Sequence, residues 1–130
     1  MVRAFSAPEQ LAFLETCDDD ALSQLPFGVV AMTPAGIVTR YNAYESTRSG
    51  LSPAQVIGRH FFREIAQCIN NPKVAGRFAA PPSGAEPPQG ASLDVCLPYV
   101  MTFYMKPRPV ELRLLRGPAA VYHYLLLQDR

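Results

Sequence analysis

The sequence has few of the residues from which metal sites and disulfides are built. It contains three cysteines, Cys17, Cys68 and Cys96, with no C-x-x-C pair, and two histidines, His60 and His123, with no H-E-x-x-H motif. The odd number and wide spacing of the cysteines argue against a disulfide framework and a cysteine-rich zinc site. The isolated histidines argue against a hydrolytic metal centre. We therefore expect no bound metal.

Other signatures are absent as well. The sequence lacks G-x-G-x-x-G, Walker A and G-x-S-x-G motifs, which removes the usual nucleotide-binding and hydrolase patterns. Twelve basic and eleven acidic residues give a net charge of +1 without a basic stripe, so no nucleic-acid partner is expected. The apolar runs are too short to cross a bilayer, and residues 1–6 lack the apolar core of a signal peptide. A cytoplasmic protein without membrane association is expected.

The composition is that of a single globular domain. The chain has 130 residues, of which 48% are hydrophobic and 18% are charged, far from a disordered composition. Residues 1–26 predict a small helical N-terminal cap, with a helix start at 6–9 and a second short helix opened by the acidic residues 18–20. Residues 27–130 predict the core of the domain.

The remaining pattern predicts an α+β domain. One antiparallel sheet of five to six strands is expected, with short helices packed across one face. The Pro- and Gly-rich residues 79–90 predict a surface loop. The predicted strands are 27–32, 37–41, 93–103, 110–115 and 121–127, with Pro107 and Pro109 separating the third from the fourth, and the predicted helical segments begin at Asn42, Ser52, Phe61 and Val74.

Three side chains at the edges of apolar segments form the most informative pattern. Tyr41 and Glu45 lie in the run 40–45, and Cys68 follows the run 58–67. A thiol can tether a small aromatic acid, while a phenol and a carboxyl hold its far end. Together these residue types indicate a ligand site.

The stretch from Leu25 to Phe78 resembles the photoactive yellow protein family, within the PAS fold. The PAS scaffold alone says little about function, whereas the Tyr, Glu and Cys at these spacings are specific. The N-terminal cap also fits that family. The matching residues are Leu25-Pro26-Phe27-Gly28, Tyr41-Asn42-Ala43, Glu45, Pro53, Gln55-Val56-Ile57-Gly58, Phe61-Phe62, Cys68, Gly76 and Phe78.

The resemblance implies p-coumaric acid as a cofactor, attached to Cys68 as a thioester. Tyr41 and Glu45 would hold its phenolic oxygen through short hydrogen bonds, and Ser49 would donate its hydroxyl to Tyr41. Burial beside a phenolate raises the pKa of a carboxyl, so Glu45 is expected to be protonated at pH 7. Phe61 is expected to line the pocket.

Two interpretations remain for the strand that closes this pocket. Either Tyr99 and Met101 or Phe103 and Met105 face the ligand, and Met101 is taken as the candidate pocket residue.

The chain also departs from the family pattern near the phenolic end. Leu51 occupies a position where the family often has an arginine, with Arg48 as an alternative cation, and Gln67 replaces a common proline before the cysteine.

The function implied by the resemblance is that of a blue-light photoreceptor. Light would isomerise the cofactor from trans to cis, and its phenolate would then take the Glu45 proton. The resulting buried carboxylate, left without its partner, costs several kcal/mol, so the N-terminal cap is expected to undock as the output signal. The expected partner is an unidentified downstream signalling protein, and the expected state is a monomer or weak dimer.

Plainer explanations exist for the same residues. The Asn42-x-x-Glu45 spacing also predicts a capping box, in which Glu45 bonds only the Asn42 backbone. Cys68 is also consistent with an inert buried thiol. Two other functions therefore stay open: a PAS domain that binds a small molecule non-covalently or dimerises, and an enzyme that uses Cys68 as a nucleophile. The enzyme is disfavoured because no histidine lies at a diagnostic spacing.

Overall fold

In a computed structural model, the described residues are Phe5, 10–71, 73–79, 93–101, 108–116 and 122–129. The helix start predicted at 6–9, most of the loop predicted over 79–90, and Phe103 and Met105 lie outside the described residues.

Along the described chain, two helices and two strands are followed by five short helical segments and then by three strands. The helix at Ala43–Ser49 ends where Gly50 adopts a left-handed conformation with φ of 80°, which an L side chain rarely tolerates. The helices are α1 (Gln10–Thr16), α2 (Asp19–Ser23), α3 (Ala43–Ser49), α4 (Pro53–Val56), a π-helical turn (Phe61–Ile65), a 3₁₀ turn (Gln67–Ile69) and α5 (Ala75–Ala79). The strands are β1 (Gly28–Met32), β2 (Val38–Tyr41), β3 (Leu93–Met101), β4 (Arg108–Arg116) and β5 (His123–Asp129).

The strands form one antiparallel sheet in the order β2-β1-β5-β4-β3. The predicted hairpin of β1 and β2 is confirmed, with Val30 opposite Tyr41. The prediction that Pro109 separates two strands is wrong, because Pro109 lies within β4 and pairs with Val100 of β3. Pro109 is the second residue of β4, close to the start of the strand, a setting in which strands tolerate proline.

Both faces of the sheet are covered, which explains why every residue of β1 is buried. One face, called the helix face, packs against the helices that follow β2. The other, called the cap face, packs against α1, α2 and Phe5. The buried helix-face cluster includes Val30, Tyr41, Phe61, Phe62, Ile69, Met101, Leu112 and Leu125. The buried cap-face cluster includes Phe5, Leu14, Leu22, Leu25, Phe27, Val29, Tyr124 and Leu126.

Candidate functional site

The candidate site begins where β2 ends and α3 starts. Asn42 caps α3, since its Oδ1 accepts hydrogen bonds from the backbone N–H of Glu45 at 3.2 Å and of Val29 at 2.9 Å. The backbone N–H of Asn42 donates to Val29 O at 3.2 Å. Glu45 is therefore not needed to complete a capping box, and its carboxyl is available for other contacts.

Asn42 also connects this site to the N-terminal cap. Its Nδ2 donates to the carbonyl oxygens of Leu22 at 2.9 Å and Phe27 at 3.0 Å. The side chain is buried, and each of its hydrogen-bonding groups has partners. One residue thus fixes the end of α2, the approach to β1 and the start of α3.

Tyr41 lies at the end of β2 and Ser49 at the end of α3, and their side chains meet in the interior. The hydroxyl of Tyr41 donates to Ser49 Oγ at 2.8 Å, and both residues are buried. The contact expected between them is present, with Tyr41 as the donor. Ser49 Oγ also accepts the backbone N–H of Leu51 at 3.2 Å, which ties the pair to the end of α3.

Glu45 is buried beside this pair and forms a two-point contact with Arg48. Arg48 Nε lies 2.9 Å from Glu45 Oε1, and Arg48 Nη2 lies 2.6 Å from Glu45 Oε2. Parallel fork-to-fork contacts of this kind are the strong form of the Arg–carboxylate pair. The backbone makes room for the carboxyl at Gly28 of β1, where a Cβ would collide with Glu45.

Opposing influences act on the ionisation of Glu45. Burial raises the pKa of the carboxyl, and the charge of Asp129 raises that pKa further. Hydrogen bonds from Arg48 and Tyr41, together with the Arg48 charge, lower the pKa. Burial dominates, so the pKa of Glu45 lies above its ordinary value.

Cys68 lies in the 3₁₀ turn and packs, half-buried, against the helix-face cluster. Tyr41, Phe61 and Met101 belong to the same cluster. The turn is held in place by Tyr99, whose hydroxyl donates to Cys68 O at 3.1 Å. The structure thus places the predicted Cys68, Tyr41, Phe61 and Met101 around one apolar region, with Tyr99 at its edge.

The other two cysteines lie elsewhere. Cys17 packs against the cap-face cluster, and its sulfur lies 3.7 Å from Arg40 Nη2. Cys96 is exposed on the edge strand β3. Among the three cysteines, Cys68 is the one that packs against the helix face.

A cavity of about 430 Å³ opens beside α3, next to residues of the N-terminal cap. None of its lining residues belongs to the helix-face cluster, and neither Tyr41 nor Cys68 lines it. The lining residues are Ser23, Leu25, Ala43, Tyr44, Thr47, Arg48 and Asp129.

Three features of the site were not predicted from the sequence. The i,i+3 spacing of Glu45 and Arg48 could have indicated their pairing, because side chains three positions apart on a helix are neighbours. Asn42 was predicted as a helix cap but not as a contact to the N-terminal cap. Gly28 had no signal by itself, because its role depends on the approach of Glu45 from another element.

The chain was compared with known proteins by sequence and by structure. No profile of a known protein family matches the chain. It is 33% identical to photoactive yellow protein of Halochromatium salexigens over 101 residues, which are 78% of this chain and 76% of that protein. It is 32% identical to photoactive yellow protein of Rhodothalassium salexigens over 99 residues, which are 76% of this chain and 74% of that protein.

Solved structures give the same result. The photoactive yellow protein domain of the sensor histidine kinase Ppr from Rhodospirillum centenum superimposes with a TM-score of 0.77 at 30% identity, covering 91% of this chain and 98% of that domain. A PAS domain of an HTR-like protein from Haloarcula marismortui has a TM-score of 0.63 at 15% identity, covering 95% of this chain and 100% of that chain.

The five-stranded sheet with its short helices is therefore a PAS fold, as predicted. Within that fold, the chain belongs to the photoactive yellow protein family. These relatives are photoactive yellow proteins and a photoactive yellow protein domain of a sensor histidine kinase, which supports a sensory role for this chain.

Two further observations concern the described residues alone. No group of three His, Cys, Asp or Glu side chains among them is arranged to hold a metal ion. No helix in the described part of the chain is long and apolar enough to cross a membrane.

Proposed function

We propose that this chain is a blue-light photoreceptor that carries p-coumaric acid as a thioester on Cys68. The observation that carries the proposal is the burial of a phenol, a hydroxyl and a carboxyl together beside the apolar region that Cys68 borders. The proposed site consists of Cys68, Tyr41, Glu45, Ser49, Phe61 and Met101. The whole chain, 1–130, acts as one photosensor domain with its N-terminal cap at 1–26 and its core at 27–130.

The residues suit an aromatic ring with a phenolic end. Phe61 and Met101 supply apolar walls, and both are almost fully buried. The buried hydroxyl of Tyr41, which donates to Ser49 Oγ in this structure, would turn toward a bound phenolate, and the buried carboxyl of Glu45 would be the second donor when it holds a proton. A donor pair of this kind distinguishes a phenol from an unsubstituted ring, because an analogue without the hydroxyl leaves buried polar groups unpaired.

Cys68 provides the attachment point. Its thiolate attacks the carbonyl carbon of an activated hydroxycinnamoyl donor, such as an acyl thioester or anhydride. A sulfur–carbon bond forms, and the activating group leaves with the electron pair of the bond that breaks. The hydroxyl of Tyr99 donates to the carbonyl oxygen of Cys68 at 3.1 Å, and this hydrogen bond holds the turn that carries the sulfur.

The signal follows from the position of Glu45. When bound, the p-coumaroyl group absorbs blue light and isomerises about its double bond. Glu45 holds a proton at its carboxyl before light and gives it up afterwards. The charge then appears at the start of α3, next to Asn42, which binds the carbonyl oxygen of Leu22 in α2. The new charge disturbs Asn42, and its hydrogen bond to Leu22 is lost. This loss loosens the N-terminal cap, whose surface then becomes available to a downstream signalling protein.

The proposal is tested by adding activated p-coumaric acid to the purified protein, followed by intact mass and an absorption spectrum before and after blue light. We expect one adduct and a visible band that bleaches and recovers. Cys68→Ser should lose the adduct, while the matched controls Cys17→Ser and Cys96→Ser should retain it. A protein with no adduct, or with an adduct that survives in Cys68→Ser, would refute the proposal and favour non-covalent ligand binding.

The role of Glu45 has its own test. Glu45→Gln keeps a hydrogen-bond donor of similar size but has no proton to release. We expect a coloured protein whose light-induced loss of hydrogen-exchange protection in the N-terminal cap is much weaker. If the loss of protection matched that of the unmodified chain, the carboxyl would not be the source of the signal.

A further inference from the structure

Glu45 has a cationic partner of its own in this chain. The two side chains are 3% and 4% exposed for Glu45 and Arg48, so the pair is cut off from solvent. Both oxygens of the carboxyl are engaged, by Nε and Nη2 of the guanidinium. Because the two residues are three positions apart on α3, the helix itself holds them in register.

The charged and titratable groups around this pair come from three elements. Tyr41 approaches Glu45 from β2, Arg48 from α3, and Asp129 from β5. Strand β1 faces Glu45 with Gly28, which carries no charge. Arg48 also lines the cavity beside the N-terminal cap together with Asp129, and none of that cavity's lining residues belongs to the helix-face cluster. The guanidinium therefore bonds Glu45 and also borders a cavity that Cys68 does not line.

We infer that Arg48 is a positioning residue that determines whether Glu45 or the phenol of the bound group holds the proton they share. This inference rests on the proposed function. A guanidinium bound to both oxygens stabilises the carboxylate, so it lowers the affinity of Glu45 for the proton that Glu45 shares with the phenol. Without the guanidinium, a buried carboxyl is expected to be neutral and to donate.

The inference changes what happens after light. A carboxylate that forms beside Arg48 is not left without a partner, so the penalty for an isolated buried charge is largely removed. Leu51, at the position where the resemblance implied an arginine, supplies no charge. Arg48 thus stabilises the Glu45 carboxylate that remains after proton release. The strength of the Arg48–Glu45 ion pair therefore determines how far the N-terminal cap is loosened.

The first test uses the protein without any ligand. The carboxyl of Glu45 is followed by NMR in protein labelled with ¹³C at the glutamate carboxyls, with Glu45→Gln to assign the signal. Arg48→Met should raise the pKa of Glu45 by about one pH unit or more, a tenfold change in proton affinity. The matched control Arg59→Met removes an exposed arginine that pairs with Glu64 and should leave the pKa unchanged.

An unchanged Glu45 pKa in Arg48→Met would overturn the inference. If Arg48→Met does not fold, Arg48→Lys keeps the charge but loses the two-point contact. It should raise the pKa in the same direction by a smaller amount, and an unchanged value in Arg48→Lys would overturn the inference equally.

The second test uses the protein carrying p-coumaric acid and follows its visible band against pH in the dark. In Arg48→Met the pH midpoint of the band should fall by about one pH unit, because Glu45 holds its proton more tightly and can donate a hydrogen bond to the phenolate over a wider pH range. A midpoint that rises would show that Arg48 acts on the phenolate directly, which contradicts the inference. Failure to form an adduct in the unmodified chain would refute the proposed function instead, and the ligand-free titration would still decide the role of Arg48.

Discussion

The two faces of the sheet are held by different kinds of interaction. On the helix face, buried aromatic and aliphatic side chains such as Phe61 and Met101 pack together in one large cluster. On the cap face, an apolar cluster is also present, but several sheet side chains hydrogen-bond to the backbone of the N-terminal cap. Arg40 donates to Leu14 O at 3.1 Å and to Cys17 O at 2.9 Å, and Arg113 donates to Phe5 O at 3.0 Å.

Because of this difference, we expect the helix face to stay packed and the N-terminal cap to be released more easily. Apolar packing is lost only when the domain opens widely, whereas a cap held by a few directional bonds can be released when one bond is disturbed. Asn42 lies between the two faces, because it binds Leu22 of the N-terminal cap and also starts the helix that carries Glu45. The site and the releasable part of the molecule therefore share one side chain.

The largest effect is expected from breaking the helix face. Phe61→Ala should lower the free energy of unfolding by about 3 to 5 kcal/mol, because it leaves a cavity in the main cluster. Urea unfolding measures this change. The control Ile57→Ala alters a side chain that is 46% exposed and should cost far less. Equal losses in the two variants would mean that the helix face is not the stable core.

A smaller but global effect is expected at the link between the faces. Asn42→Ala removes bonds to two buried carbonyls and two backbone N–H groups. We expect a loss of about 2 to 4 kcal/mol in unfolding free energy, since a cap is lost and buried polar groups are left unpaired. Hydrogen exchange of the N-terminal cap should accelerate as well. A cap that keeps its protection would show that Asn42 does not connect the two faces.

Acid should weaken the helix face through His123. This side chain is buried and stacks on Phe78, with ring centroids 4.9 Å apart. Burial and the charge of Arg116 lower the pKa of His123 to about 4, from 6.5. Since the unfolded chain binds the proton first, stability from this group is complete above pH 6.5 and is lost as the pH falls toward 4.

We expect this loss to be about 1 to 3 kcal/mol between neutral pH and pH 4. Thermal or urea unfolding across that range measures it, with His123→Phe as the comparison, because the substituted ring can stack but cannot titrate. The two proteins should differ in slope between pH 6.5 and 4. Parallel slopes would mean that His123 is not the group responsible.

The smallest effect should be confined to the N-terminal cap. Arg40→Met removes the two carbonyl contacts and an ion pair with Asp19, whose side chain is 87% exposed and contributes little. We expect about 1 to 2 kcal/mol less protection of the cap in hydrogen exchange, with little change in the β-sheet. If the sheet lost the same protection, the cap and the core would open as one unit.

The sequence predicted the sheet and its hairpin well because proline and glycine mark turns and apolar runs mark strands. Pro109 was misassigned for a physical reason: a strand tolerates proline close to its start, and the sequence does not show where the pairing of β4 with β3 begins. Cys68 and Tyr41 pack in one cluster, and their role as ligand-binding residues, which the family resemblance implied, stays a prediction. The burial of Arg48 was not predicted, since a charge three positions from a glutamate is usually found on a solvated helix face.

The most direct test of the account is hydrogen exchange of the p-coumarate-bound protein in darkness and under blue light. We predict that light lowers protection in α1 and α2 and at the start of α3, while β4 and β5 keep theirs. Asn42→Ala should show the loosened cap already in the dark. A uniform loss of protection over both faces, or a change limited to the helix face, would contradict the claim that chemistry at Glu45 is transmitted through Asn42 to the N-terminal cap.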